Sequence, residues 1–457
     1  MNKETILLKL RSTDPSEKIE AINTFFDEDI TEEYAAEVTK MITDSDKGVR
    51  NAAASILTFK CDQKACKELV PFIASEDISI RNLAGEILIK NGSVSVPSLV
   101  EYLDKGNDDD KKFIIDVLGL IEDSSAAPKI HEIMNVNKND NVLLACLEAL
   151  GRLKCKEAVE DIIVKYDENE LFKPTCIEAL GSIGTSLCLE FIVERYLIED
   201  ELTKYSMIEA LGQLGLPDSI EFLVQQLEEC EPSLITPTVG AIYSLAERYA
   251  IYPVVNDRLK SALIETIREG ELGYKRAALS LAGELRDKEY LGAILHVYGI
   301  DYGLDEQIKA KLFNEPLFVI ENTPPLLLRN DKNSLGLLTL VRDVIFNNVE
   351  IFEADVEPSA MQNLLNGIAE NLTNSDEEAR KTSMELLFVL DVETGLLFLD
   401  TMLEDDNMWN KIRLLEMLEE VNDERADNAL RTLSGDQESM ISERAATILE
   451  NRTVSNL

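Results

Sequence analysis

Glu148-Ala149-Leu150-Gly151 returns as Glu178-Ala179-Leu180-Gly181 and again as Glu209-Ala210-Leu211-Gly212, at steps of 30 and 31 residues. A near-literal echo at that period marks a repeat architecture, in which each unit is one supersecondary element stacked on the next. The register extends backward through Leu118-Gly119, Leu88 and Leu57, and forward, at wider steps, to Leu245 and Leu281. A second column runs through Leu69, Leu99, Ile130, Ile162, Ile192 and Leu223, each 11 or 12 residues after a member of the first. Each has an apolar residue four positions on: Ile73, Leu103, Met134, Tyr166, Tyr196 and Leu227. That spacing is one helical turn. Every unit is therefore two helices, an A helix carrying the second column and a B helix carrying the Leu-Gly column. Short turns with Asp, Asn, Gly or Pro separate them.

Angular position assigns a task to each letter of the echo. With Leu150 at zero and 100° per residue, Leu143, Cys146, Leu147 and Leu153 fall within about 60° of it. Cys176, Ile177 and Ile183 do the same around Leu180, as do Met207, Ile208 and Leu214 around Leu211. Ala149 and Gly151 fall on the flanks, where a small side chain lets the neighbouring helix approach. A glycine inside a helix costs about 1 kcal/mol relative to alanine, so packing must offset it, or it marks the helix end. Two positions before the leucine column stand Glu86, Asp116, Glu148, Glu178 and Glu209. They lie about 160° from the core stripe and are expected to be exposed. Stacked helices sit roughly 10 Å apart, so the five form an acidic row across successive units. At the Debye length of about 8 Å in physiological salt such a row repels itself unless basic neighbours or a cationic partner offset it.

The echo, with the motif Asp-x-x-Val/Ile-Arg at Asp46-Lys47-Gly48-Val49-Arg50 and Asp77-Ile78-Ser79-Ile80-Arg81, resembles the bacterial HEAT-like repeat family, which is also known from phycobilisome lyases. The likeness covers residues 35 to 297. Its period argues against tetratricopeptide and ankyrin repeats, whose units are longer. The resemblance implies an all-α, right-handed α-solenoid, or superhelix, of two-helix armadillo-like repeats, about a dozen in all, with B helices lining the concave face. It implies no single function, since this repeat serves many.

The register fails near residue 298. Gly299, Gly303, Pro316 and Pro324-Pro325 then interrupt the pattern, and prolines end or kink helices. The expected organisation is an N-terminal solenoid over 1–298, an irregular Pro-containing insertion or hinge over 299–332, and an acidic helical repeat block over 333–457. A loop within one continuous solenoid is the alternative for the middle segment. Helical pattern resumes over 335–346, and B-like helices are expected near 376–390, 409–420 and 438–450.

Composition limits the function. Asp plus Glu number 86 against 45 Lys plus Arg, for a net charge of −41. Such a chain repels nucleic-acid phosphates and anionic membranes. The excess serves solubility by self-repulsion, or it faces a basic protein partner. The cysteines, Cys61, Cys66, Cys146, Cys155, Cys176, Cys188 and Cys230, are odd in number and include no CxxC pair or zinc spacing. With no signal-peptide pattern and no long apolar run, a cytoplasmic location is expected.

Candidate chemistry is thin. His131 occupies a register position filled elsewhere by Val70, Val100, Ile163, Val193 and Val224, so it reads as a partly buried structural residue. His296 reads as exposed. Deoxyhypusine hydroxylases are HEAT-like enzymes with several His-Glu pairs around two irons; this chain has one, His131-Glu132, which is too few ligands. A HEAT-like DNA glycosylase needs a basic face that this charge denies. Cys146 and Cys176 share a column with Met207 and read as core. No P-loop, dinucleotide fingerprint, HExxH or nucleophile elbow occurs. No catalytic residue, cofactor or metal is expected. The expectation is a non-enzymatic scaffold or adaptor binding a basic protein segment along Glu86, Asp116, Glu148, Glu178 and Glu209. The alternative is a regulatory or lyase-like factor assisting an enzyme or chromophore attachment. Oligomeric state is left open.

Overall fold

The computed structural model describes residues 3–26, 30, 32–214, 216–348 and 356–455. α-Helices and short 3-10 turns are the only regular elements among them, with no strand. Contacts divide the chain into two compact units, Met1–Pro253 and Val254–Leu457.

In the first unit the described residues form eight hairpins in two layers. The A helices are α1 (Lys3–Leu10), α3 (Glu32–Lys40), α5 (Gln63–Leu69), α7 (Val96–Tyr102), α9 (Ala127–Val136), α11 (Val159–Glu168), α13 (Ser186–Tyr196) and α15 (Asp218–Gln226). The B helices are α2 (Pro15–Asn23), α4 (Lys47–Lys60), α6 (Ile78–Asn91), α8 (Asp108–Ile121), α10 (Asp140–Arg152), α12 (Lys173–Ile183), α14 (Glu201–Leu214) and α16 (Pro232–Tyr249). Turn chemistry starts the B helices. The side chains of Asp14, Asp46, Asp77, Asn107 and Asn139 accept hydrogen bonds from amides in the first turn of α2, α4, α6, α8 and α10. A cap of this kind is worth about 1 kcal/mol. In the two Asp-x-x-Val/Ile-Arg motifs the arginine folds back: Arg50 donates to the carbonyls of Asp44 and Ser45 at 2.6 and 3.0 Å, and Arg81 to Ser75 at 3.2 Å.

Both sequence columns are core. Leu57, Leu88, Leu118, Leu150, Leu180, Leu211 and Leu245 are fully buried, as are Leu69, Leu99, Ile130, Ile162, Ile192 and Leu223. Leu227 is the exception among their partners four residues on, being only half-buried. The glycines decide the spacing of the B layer. A Cβ on Gly151 would meet Cα of Ala179 at 2.8 Å, and one on Gly181 would meet Cα of Ala210 at 2.9 Å. Gly119 faces Ala149 and Gly212 faces Ala241 in the same way. Gly119, Gly151 and Gly181 therefore receive the alanine of the next echo, whereas Gly212 receives Ala241, four positions before Leu245. None of the four ends its helix as a left-handed cap.

A ladder of ion pairs ties consecutive hairpins. Lys18 binds Asp44 at 2.6 Å, Lys173 binds Glu199 at 2.9 Å and Lys204 reaches Glu231 at 3.4 Å. In each, a cation near the start of a B helix reaches an acid in the following hairpin's A-to-B turn.

The second unit repeats the plan. Its helices are α17 (Asp257–Glu269), α18 (Leu272–Leu281), α19 (Lys288–His296), α20 (Tyr302–Leu312), α21 (Pro316–Asn322), α22 (Pro324–Leu327), α23 (Ser334–Asn347), α24 (Pro358–Glu370), α25 (Glu377–Leu390), α26 (Val392–Leu397), α27 (Leu399–Leu403), α28 (Met408–Glu419), α29 (Glu424–Leu433) and α30 (Ser439–Ser455). Pro316 and Pro324 open helices instead of breaking them, because the first helical position needs no amide hydrogen. Leu281 continues the leucine column as core. The ion ladder recurs as Arg276–Asp301, Arg380–Asp405 and Lys411–Asp436, each at 2.9 Å. This is an all-α solenoid of stacked helical hairpins.

Candidate functional site

The acidic row lies on five successive B helices, α6 to α14, one residue from each. Glu86, Glu148, Glu178 and Glu209 are exposed; Asp116 is half-buried. The row is not electrostatically uniform. Glu86 accepts from Lys90 and Asp116 from Lys112, each at 2.7 Å and one turn away on the same helix. The carboxylates of Glu148, Glu178 and Glu209 have no ion pair or hydrogen bond among the described residues. Direct pairing with a basic neighbour is thus found at one end of the row; at the other, Arg152 lines the same clefts as Glu148 and Glu178 without an ion pair to either.

Close approach of the B helices leaves shallow clefts between them, and the row lines these. A cleft of about 240 Å³ between α8 and α10 is walled by Asp116, Glu148, Lys112, Leu120 and Arg152. A smaller one of about 30 Å³ between α10 and α12 is walled by Glu148, Glu178, Arg152, Thr175 and Ser182. A wider cleft of about 580 Å³ between α4 and α6 carries Glu86, Lys90, Phe59 and Leu83. Phe59 and Leu120 are more than half exposed there, so acid and apolar surface alternate along the B face. Such a face combines charge with modest apolar area, which suits an extended polypeptide better than an enclosed small molecule.

The candidate chemical residues fall elsewhere. His131 is half-buried and its Nε2 lies 2.6 Å from Oδ2 of Asp161 on the next A helix. The Asn135 amide, at 3.0 Å, and His131 together hold the Asp161 carboxyl below its ordinary range. His131 therefore joins two A helices, a pairing its valine-like register position did not signal. His296 is exposed, with Arg329 at 3.4 Å from its Nε2. Cys146 and Cys176 are fully buried, and burial pushes each thiol up to about 12. Among the described residues no three His, Cys, Asp or Glu side chains are grouped as metal ligands, and no helix is long and apolar enough to cross a membrane.

Sequence reading also missed the ion ladder between hairpins. Its signal was present: Asp14/Lys18, Asp200/Lys204, Asp376/Arg380 and Asn407/Lys411 share a capping residue four positions before a cation.

The fold is an all-α solenoid whose B face displays acidic and apolar side chains around shallow clefts. No family profile matches the chain, and no curated protein matches it. Among known structures, it is similar to importin beta crystallised in ammonium sulfate, with 11% identity and a TM-score of 0.45, covering 98% of this chain and 74% of that one. It is similar to the Kap95:Nup1 complex at 10% identity and a TM-score of 0.44, covering 98% and 73%. A homology model of the full-length AP-3 complex in an intermediate open conformation gives 11% identity and a TM-score of 0.41, covering 95% and 94%.

Proposed function

We propose that the chain is a non-enzymatic scaffold or adaptor whose concave B-helix surface binds a basic segment of another protein. The observation that carries this reading is the run of three exposed, unpaired carboxylates, Glu148, Glu178 and Glu209, on adjacent helices. Like charges held at roughly 10 Å spacing gain most when a cationic chain lies across them. The clefts between α4 and α6 and between α8 and α10 on the same face give that chain side-chain seats. A segment in the polyproline II conformation turns once in three residues and advances about 3.1 Å per residue, so every third side chain keeps to one face and falls over the next B helix. Charge complementarity of this kind raises the association rate and selects the partner.

The test compares two triple reversals with the same charge change. One is Glu148→Lys, Glu178→Lys and Glu209→Lys on the B helices. The other is Glu160→Lys, Glu190→Lys and Glu194→Lys, exposed acids of the A helices α11 and α13. Fluorescence anisotropy with a labelled Lys/Arg-rich peptide should show at least tenfold weaker binding for the B-face variant and little change for the A-face variant. Equal effects from both would reduce the row to general surface charge.

A further inference from the structure

We propose that Cys61 and Cys66 form a redox modification site, oxidised by hydroperoxides to an intramolecular disulfide joining the end of α4 to the first turn of α5. Their sulfur atoms lie 3.2 Å apart. Cys66 is fully buried and Cys61 nearly so. The connecting turn is fixed: Asp62 caps α5 by accepting from the Ala65 amide at 2.8 Å. A disulfide needs a sulfur separation of about 2.05 Å, so closure asks for a relative movement of about 1.1 Å, within reach of side-chain torsions. Two of the other buried cysteines show the contrast. Cys146 and Cys176 sit singly among apolar side chains of α10 and α12.

The surroundings favour thiolate character at one member of the pair. With Cys61 as hydrogen-bond donor the Cys66 pKa is lowered against the opposing effect of burial, while Ser95 Oγ, 3.5 Å from the same sulfur, keeps its own proton on the Leu88 carbonyl. Cys61 is correspondingly raised. The chemistry balances with a hydroperoxide as oxidant. The sulfur that reacts first bonds to the peroxide's terminal oxygen as the O–O bond breaks, giving a sulfenic acid and, with a hydroperoxide ROOH, the alcohol ROH (water from hydrogen peroxide). The second sulfur then displaces that oxygen, forming S–S and releasing water. A dithiol reductant reverses the change by exchange. Oxidation draws Cys66 from Ser95, whose hydroxyl donates to the Leu88 carbonyl at 2.9 Å. The site therefore reports on the seam between the α5–α6 and α7–α8 hairpins.

The full chain is treated with hydrogen peroxide, quenched with catalase, unfolded in iodoacetamide and analysed by peptide mass spectrometry. The proposal expects the peptide containing both cysteines to escape alkylation and to weigh about 2 Da less, with Cys146 and Cys176 fully alkylated. Dithiothreitol should restore both alkylation sites, and Cys61→Ser should abolish the loss of mass. Undiminished alkylation of Cys61 and Cys66, or stable sulfinic acid at one with no disulfide, would overturn it.

Discussion

Adding a methyl group at Gly151 sets helix propensity against packing, and the geometry decides which wins. Alanine is favoured over glycine inside a helix by about 1 kcal/mol. The new Cβ would stand 2.8 Å from Cα and 3.1 Å from Cβ of Ala179, where carbon atoms prefer roughly 3.5–4.0 Å. The obstructing atom is backbone, so relief requires α12 to move away from α10. Overpacking of this sort costs about 1–3 kcal/mol, leaving Gly151→Ala a net loss of about 1 kcal/mol after the propensity gain. Gly181→Ala should match it, since its Cβ meets Ala210 at 2.8 and 2.9 Å. Gly212→Ala meets Ala241 only at 3.2 and 3.3 Å; a shift of a few tenths of an ångström suffices, and the change should be neutral or slightly stabilising. Gly119→Ala, at 3.1 and 3.2 Å, falls between. Urea unfolding followed by circular dichroism at 222 nm gives the order through its midpoints, which remain comparable even where a solenoid unfolds in stages. If all four variants gain about 1 kcal/mol, close approach of the B helices is not what the glycines supply.

Other expectations concern charge. Arg380 grips Asp405 through two hydrogen bonds of 2.9 Å; Arg380→Ala leaves that carboxylate buried with fewer donors and should cost about 2–3 kcal/mol in chemical unfolding. Burial pushes the Asp405 carboxyl up, but Arg380, Asn410 and the Asn407 amide together hold it below its usual range. Its folded pKa is thus below the unfolded one, so the contribution is complete at neutral pH and disappears as pH falls below about 4; an unfolding series should show a shallower acid limb in Arg380→Ala. Lys173→Met strands the poorly exposed Glu199 and should lower stability by about 1–2 kcal/mol, whereas Lys165→Met, which frees a solvated Glu168, should stay within about 0.5 kcal/mol. The Glu148, Glu178 and Glu209 reversal should leave the unfolding midpoint nearly unchanged, because none of the three carboxylates has a partner to lose.

Periodicity made the fold legible because core burial repeats with the helix. Leu150 and its echoes are fixed by one requirement, an apolar side chain every 30 or so residues, and that requirement survives in a single sequence. The expected helices at 335–346, 376–390, 409–420 and 438–450 correspond to α23, α25, α28 and α30 for the same reason. Contacts between hairpins were less visible. His131 looks like an apolar substitution until Asp161 is placed 30 residues away on the adjacent helix. The pairing of Cys61 with Cys66 depends on the turn set by Asp62, which a search for CxxC spacing passes over. The split of the acidic row into paired and unpaired members depends on rotamers of Lys90 and Lys112 that helical angles do not determine.

The uneven placement of charge bears on what the acids do. Residues 1–253 carry 47 acidic and 25 basic side chains, and residues 350–457 carry 25 and 8, whereas residues 254–348 carry 14 and 12. A chain made acidic only for solubility would have little reason to leave one helical stretch nearly neutral. Part of the excess is structural: Asp46, Asp77 and Asp376 cap helices, and Asp44, Glu199, Asp405 and Asp436 receive cations from the preceding hairpin. Those acids are already committed and cannot serve a partner without loosening the stack. Glu148, Glu178 and Glu209 differ because the packing of their helices is done by their neighbours, the flanking alanine and glycine and the buried leucine. Each B helix thus separates assembly from display within four consecutive residues. Charge at the displayed position can be reversed without disturbing the stack, which makes it the position where a binding role and a solvation role give different experimental results.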